Sequence, residues 1–139
     1  MPSFLFRALA VVVLALVAAA CGSDPVTPIA PTVPTRVTET FSGAITVNGA
    51  ATHPFTTVST GAVTATLTAL APESTTTIGL ALGTWNGVTC AIVLANDKAV
   101  LTSTVTGTVT SLVGNICVRI YDVGGISEET SYEVTVSHP

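Results

Sequence analysis

The chain has 139 residues, of which 48% are hydrophobic and only 9% charged, with three cysteines and a formal charge of −4 at neutral pH. That length holds one ordinary domain. An acidic, charge-poor chain repels polyanions, which excludes nucleic acid as a partner.

Residues 1–20 read as an export signal peptide. A short n-region ends in Arg7, an unbroken apolar run covers Ala8 to Ala20, and small residues precede Cys21. A membrane span needs roughly 20 apolar residues; this run is shorter and ends in Cys-Gly-Ser-Asp. Ala18-Ala19-Ala20-Cys21-Gly22 resembles a bacterial lipobox, in which the cysteine is lipidated and becomes the mature N-terminus. Alanine stands at position 18 where the lipobox prefers leucine. The same three alanines also satisfy ordinary signal peptidase, which would release a soluble secreted protein. The lipobox resemblance implies sorting to the outer membrane, because Gly22 rather than aspartate follows the cysteine. Removing the leader takes away Arg7 and leaves three basic residues against eight acidic ones.

Residues 21–36 read as a tether. Pro25, Pro28, Pro31 and Pro34 recur every third residue, a pattern that disfavours helix and sheet ladder alike and supports an extended, polyproline-like segment. At ~3.1 Å per residue it would hold a domain some tens of Å from a bilayer.

From residue 37 to residue 139 short alternating runs are broken by Gly, Asn, Asp and Pro, and valine and threonine dominate. These residues suit a pleated, half-buried surface, so the reading is an all-β, antiparallel sandwich or barrel. Phe41, Gly43, Ile45 and Val47 make the first apolar face. A three-residue hairpin at Asn48-Gly49 would set Phe55 opposite Gly43 on that face. Val63, Ala65, Leu67 and Ala69 follow, with Thr64, Thr66 and Thr68 outward. Thr77–Trp85 and Val88–Ala95 flank Asn86-Gly87, a strong hairpin signal. A two-residue turn there puts Ile78, Leu80 and Leu82 with Ala91, Val93 and Ala95, and Trp85, Cys90, Ile92 and Leu94 on the other face. A turn is expected at Asn96-Asp97-Lys98. Leu101, Val105 and Val109 then alternate with Thr102, Thr104, Thr106, Thr108 and Thr110, and Tyr132, Val134 and Val136 mark the last strand.

The best-defined strand is Ile116–Tyr121, where Ile116, Val118 and Ile120 alternate with Cys117, Arg119 and Tyr121. An exported chain with three cysteines has one thiol to explain. If Cys90 pairs with Cys117, the thiol left over is Cys21, where lipidation would consume it. The bridge also requires Cys90 on the outer face with Cys117, as the two-residue register supplies.

The run ICVRIYDVG, followed by a turn and the terminal SYEVTVSHP, resembles the end of bacterial pre-peptidase C-terminal domains. GAVTATLTAL from Gly61 and TTIGLALGTW from Thr76 fit the same plan. The resemblance implies a small jelly-roll-like β-sandwich acting as a non-catalytic accessory module. Some members of that family bind calcium or an extracellular polymer, but no acidic cluster at calcium-loop spacing is present to carry that activity over.

The residues carry little sign of catalysis and imply no cofactor. No phosphate loop, nucleophile elbow or metal-type cluster occurs. His53 and His138 read as edge or surface histidines, Glu128 and Glu129 as a solvated loop, and Asp122 as a turn former. One constellation remains. Trp85, Arg119 and Tyr121 share the outer face with the expected disulfide, and aromatics on a flat sheet can stack sugar rings while an arginine bonds hydroxyls. The competing reading is that a loop or the tether covers them. The expected protein is a membrane-tethered, non-catalytic module of the bacterial cell envelope. It would bind a glycan or an envelope protein, or serve as a purely structural domain packed on such a protein.

Overall fold

The computed structural model describes residues 35–139; the expected leader, Cys21 and most of the tether lie outside them. Eight strands follow one another: β1 (Val37–Ile45), β2 (Ala50–Thr57), β3 (Gly61–Ala71), β4 (Ile78–Trp85), β5 (Cys90–Ala99), β6 (Thr104–Val109), β7 (Gly114–Tyr121) and β8 (Thr130–His138). They form two four-stranded antiparallel sheets, ordered β1-β8-β3-β6 and β2-β7-β4-β5. This is a sandwich with jelly-roll strand order.

Alternation builds the core. Val63, Ala65 and Leu67 of β3, Ile78, Leu80 and Leu82 of β4, Val118 and Ile120 of β7, and Tyr132, Val134 and Val136 of β8 are all buried between the sheets. Threonine takes the opposite face of the first sheet. There, two rows of hydroxyls run across all four strands in register, Thr38-Ser137-Thr64-Thr106 and Thr40-Thr135-Thr66-Thr104. The Thr64 and Thr106 hydroxyls lie 3.1 Å apart. A β-branched side chain with a polar tip meets both demands of a solvated strand face.

Several expected pairings differ. Asn48-Gly49 does not close a hairpin: β1 pairs with β8 and β2 with β7, so the loop carries the chain from one sheet to the other. Phe55 does face inward, but opposite Ile116 rather than Gly43. Val47 lies beyond β1 and is 48% exposed. A register shift between Leu67 and Ala69 turns Ala69 outward and buries Leu70 instead.

The β4–β5 hairpin forms, with four residues rather than two between the paired Trp85 and Cys90. Asn86 explains the longer loop, since its Oδ1 accepts the Val88 and Thr89 N–H groups at 2.9 and 2.7 Å. Four residues keep the parity of two, so Cys90 still shares the outer face with Trp85. A shift between Leu82 and Gly83 reverses β5 over Leu94–Asn96, and another between Ile78 and Leu80 restores the phase at Ala99. Leu94 thereby pairs with Leu82 and reaches toward Gly107 of β6, though it stays 39% exposed, and Ala91, Val93 and Ala95 are exposed as well. β5 also continues through Asn96-Asp97-Lys98, with an irregularity in its pairing there, and the turn falls at residues 100–103, where Thr102 takes a φ of 73°. Leu101 and Thr102 therefore belong to this turn, and the alternation begins at Thr104.

Cys90 and Cys117 form a disulfide, with their Cα atoms 5.9 Å apart. Since β4 lies between β5 and β7, the bond links the two strands that flank it. Restricting a loop with a sequence separation of 27 removes unfolded-state entropy. Cys117→Ser should therefore lower the unfolding free energy by about 3–4 kcal/mol in the chain-entropy model. Urea denaturation followed by circular dichroism measures it, and an unchanged midpoint would show that the bond does not constrain the chain.

Candidate functional site

The outer face of the second sheet is assembled around a strand with almost no side chains. Outward along β4 stand Gly79, Ala81, Gly83 and Trp85, opposite Tyr121, Arg119 and Cys117 of β7 for the first three. The Tyr121 ring occupies the space that a Gly79 side chain would take, and the β5 backbone at Ala91–Ile92 occupies that of Gly83. Only glycine allows such close approach. As a result Ala81 and Cys117 have no exposed surface although both point away from the core.

The expected trio does share this face, but its members do not converge. Tyr121 and Trp85 stand at opposite ends of β4, six residues apart in register and so about 20 Å from one another along the strand. Tyr121 donates its hydroxyl hydrogen to Asp97 Oδ1, and Arg119 Nη1 donates to Thr52 Oγ1 at 3.3 Å. Burial and the Asp97 carboxylate push the Tyr121 phenol up to about 12. Trp85, half-buried beside Cys90, presents a single ring rather than a platform. Ile92, expected beside it, is 48% exposed.

His53 keeps the edge position expected of it but turns inward, whereas His138 is not at the surface. His53 points inward at the β1–β2 margin, stacked on Phe41 with ring centroids 5.1 Å apart, and its Nε2 lies 2.7 Å from the Tyr132 hydroxyl. His138, expected at the surface, is 3% exposed; its Nε2 donates to Glu39 Oε1 at 2.9 Å, and its ring lies 5.2 Å from that of Phe55. Phe41 and Phe55 connect the two, closing this margin of the sandwich with a continuous aromatic and imidazole seam. Burial lowers the His53 pKa and raises that of Tyr132. The alternation of β2 and β8 could have placed both histidines inward, because His53 is in phase with Phe55, and His138 with Val134 and Val136.

Asp122 acts as a loop staple. Its Oδ2 accepts the Asn48 N–H at 2.8 Å, and its Oδ1 accepts those of Gly124, Gly125 and Ile126 at 2.7, 3.0 and 3.3 Å. These bonds, led by that from Asn48, hold its pKa below the usual carboxylate value. Asp122 thus ties the sheet-to-sheet loop after β1 to the β7–β8 loop, leaving its carboxylate little capacity for a cation. Glu128 and Glu129 are exposed in the latter loop. Among the described residues no group of His, Cys, Asp and Glu is placed to hold a metal. No protein-family model and no curated protein matches the chain.

Two titrations follow. An unfolded histidine titrates near pH 6.5, whereas buried His53 resists protonation below that value, so its contribution is present above about 6.5 and is lost as the pH falls toward its folded pKa. The thermal midpoint should therefore drop between about pH 7 and about pH 5, and His53→Gln should flatten that slope. Equal slopes would remove His53 from the account. At the alkaline side, Asp97→Asn should bring Tyr121 ionisation down toward about 10, as read by tyrosinate absorbance.

Proposed function

We infer that this chain is a lipid-tethered, non-catalytic module of the bacterial cell envelope, sorted to the outer membrane, that binds or packs against an envelope component. The observation that carries this reading is the Cys90–Cys117 disulfide. Such bonds persist in oxidising compartments, which is where an exported domain resides. With these two cysteines paired, Cys21 is the one thiol left, and it follows the apolar run and the three alanines. The jelly-roll strand order supports the resemblance to pre-peptidase C-terminal accessory modules.

A glycan ligand is the reading of the outer face that Trp85 supports, as the half-buried ring at the open end of that face. A protein partner is supported instead by the apolar side chains beside it on β5, Ile92 and Val93, which are 48% and 67% exposed.

Expression of the full chain in a diderm bacterial host tests the anchor. The protein should fractionate with the outer membrane and yield a diacylated or triacylated N-terminal cysteine by mass spectrometry. Cys21→Ser should move it to the soluble fraction. An unmodified Cys21 in a correctly processed chain would contradict the proposal.

A further inference from the structure

The two ends of the sandwich differ in chemistry. The register places Val37, Thr57, Gly61, Trp85, Cys90, Val109, Gly114 and His138 together at one end. The β2–β3, β4–β5 and β6–β7 loops therefore project from it. Their tips carry Val58, Val88, Leu112 and Val113, which are 75%, 81%, 72% and 70% exposed, and no charged residue. Four large apolar side chains this exposed at one pole form the kind of surface that marks an interaction site.

The opposite end is acidic. Glu73, Asp122, Glu128 and Glu129 lie in its loops and Asp97 near the adjoining end of β5, with Lys98 as the basic residue among them. The apolar end instead holds Arg36, whose guanidinium donates to Ser137 Oγ and its carbonyl at 3.0 and 3.1 Å, and Glu39, which is engaged with His138.

The tether joins the domain at the apolar end, because residues 21–36 lead directly into Val37. The geometry points to a phospholipid bilayer as the occupant of this end: the three loop tips rest in the headgroup region while the acidic end faces away. This inference rests on the tethered reading above. Three features converge on it. Uncharged apolar tips can enter the interface without desolvating an ion, the carboxylates sit where an anionic surface repels them least, and a tether that enters at this end, although long enough when extended to hold the domain some tens of Å off, leaves these tips on the side facing the bilayer when the domain settles on it. Apolar loop contacts would then supply a second membrane signal beside the acyl chains, orienting the domain and confining the outer face of Trp85, Arg119 and Tyr121 to the zone above the bilayer.

The test replaces the lipid so that the anchor and the docking are judged separately. The chain from Gly22 onward, carrying an N-terminal hexahistidine, is captured on vesicles of phosphatidylcholine and a nickel-chelating lipid, with or without brominated acyl chains. Trp85, the single tryptophan, reports from the loop end. Its emission should fall about twofold or more on the brominated vesicles if the tips enter the interface. Leu112→Asp combined with Val113→Asp should restore the emission while leaving capture and circular dichroism unchanged, since both side chains are exposed. Equal emission on the two kinds of vesicle, or equal quenching in the double variant, would overturn the inference. So would a dimer in sedimentation equilibrium that the same substitutions dissolve, which would assign the surface to a second copy of the chain. Failure of Cys21 lipidation is read by mass spectrometry and leaves this result intact.

Discussion

Close approach of neighbouring strands to the bare outer face of β4 is the constraint on which the second sheet depends. With Gly79 and Gly83 there, the Tyr121 ring and the β5 backbone move into space that side chains would otherwise fill. The approach of β5 accompanies the register shift after Leu82, and that shift delivers two results at once. It sets Leu94 opposite Leu82 and near Gly107, and beyond it Cys90 lies within bonding distance of Cys117 across β4. Ala81 and Cys117 become a small second buried layer outside the sheet. For a small domain whose inner core relies on valine, leucine and isoleucine, a covalent bond and this extra layer supplement limited apolar burial.

The two margins of the sandwich are closed by different chemistry. At the β1–β2 margin the seam from His53 to His138 buries rings and imidazoles together, and its polar atoms find partners in Tyr132 and Glu39. At the β5–β6 margin an apolar cleft of about 130 Å³ remains, lined by Val63, Leu82, Leu94, Val109 and Ile116 among others. The cleft lies toward the end of the sandwich that carries Trp85 and Val109. Charge, the most exposed apolar side chains and chain entry are thus all distributed along the long axis of the sandwich, although Val47, Val100 and Val123 are partly exposed at the acidic end. An anchored protein has a use for that asymmetry, since its orientation to the bilayer decides which face a partner can reach.

Much of the architecture could be read from local pattern. Alternation at Ile116–Tyr121 identified the inner and outer faces of β7, and Asn86-Gly87 marked the hairpin that sets Cys90 beside Trp85. What escaped was set by contacts distant in sequence. Asn48-Gly49 has the composition of a hairpin turn, yet Asp122, from a loop 74 residues away, accepts the Asn48 N–H as the chain changes sheets. The pairing of Val37 with His138 spans nearly the whole domain and leaves no local mark. The shift after Leu67 exchanges the expected environments of Ala69 and Leu70, and the shift after Leu82 sets Leu94 rather than Val93 opposite Leu82, where it stays 39% exposed. The alternation puts Trp85, Arg119 and Tyr121 on one face, and the register agrees. Their separation followed from strand length, while the bonds to Asp97 and Thr52 needed the full fold.

Hydrogen–deuterium exchange most directly tests the claim that the domain is held with its apolar loops against the bilayer. The lipidated chain in vesicles is compared with the soluble Cys21→Ser chain. The account predicts slower exchange on the membrane confined to residues 58–60, 86–89 and 110–113, with residues 72–77 and 122–129 unchanged. Protection at the acidic end, or the same exchange in every loop of the two samples, would contradict it.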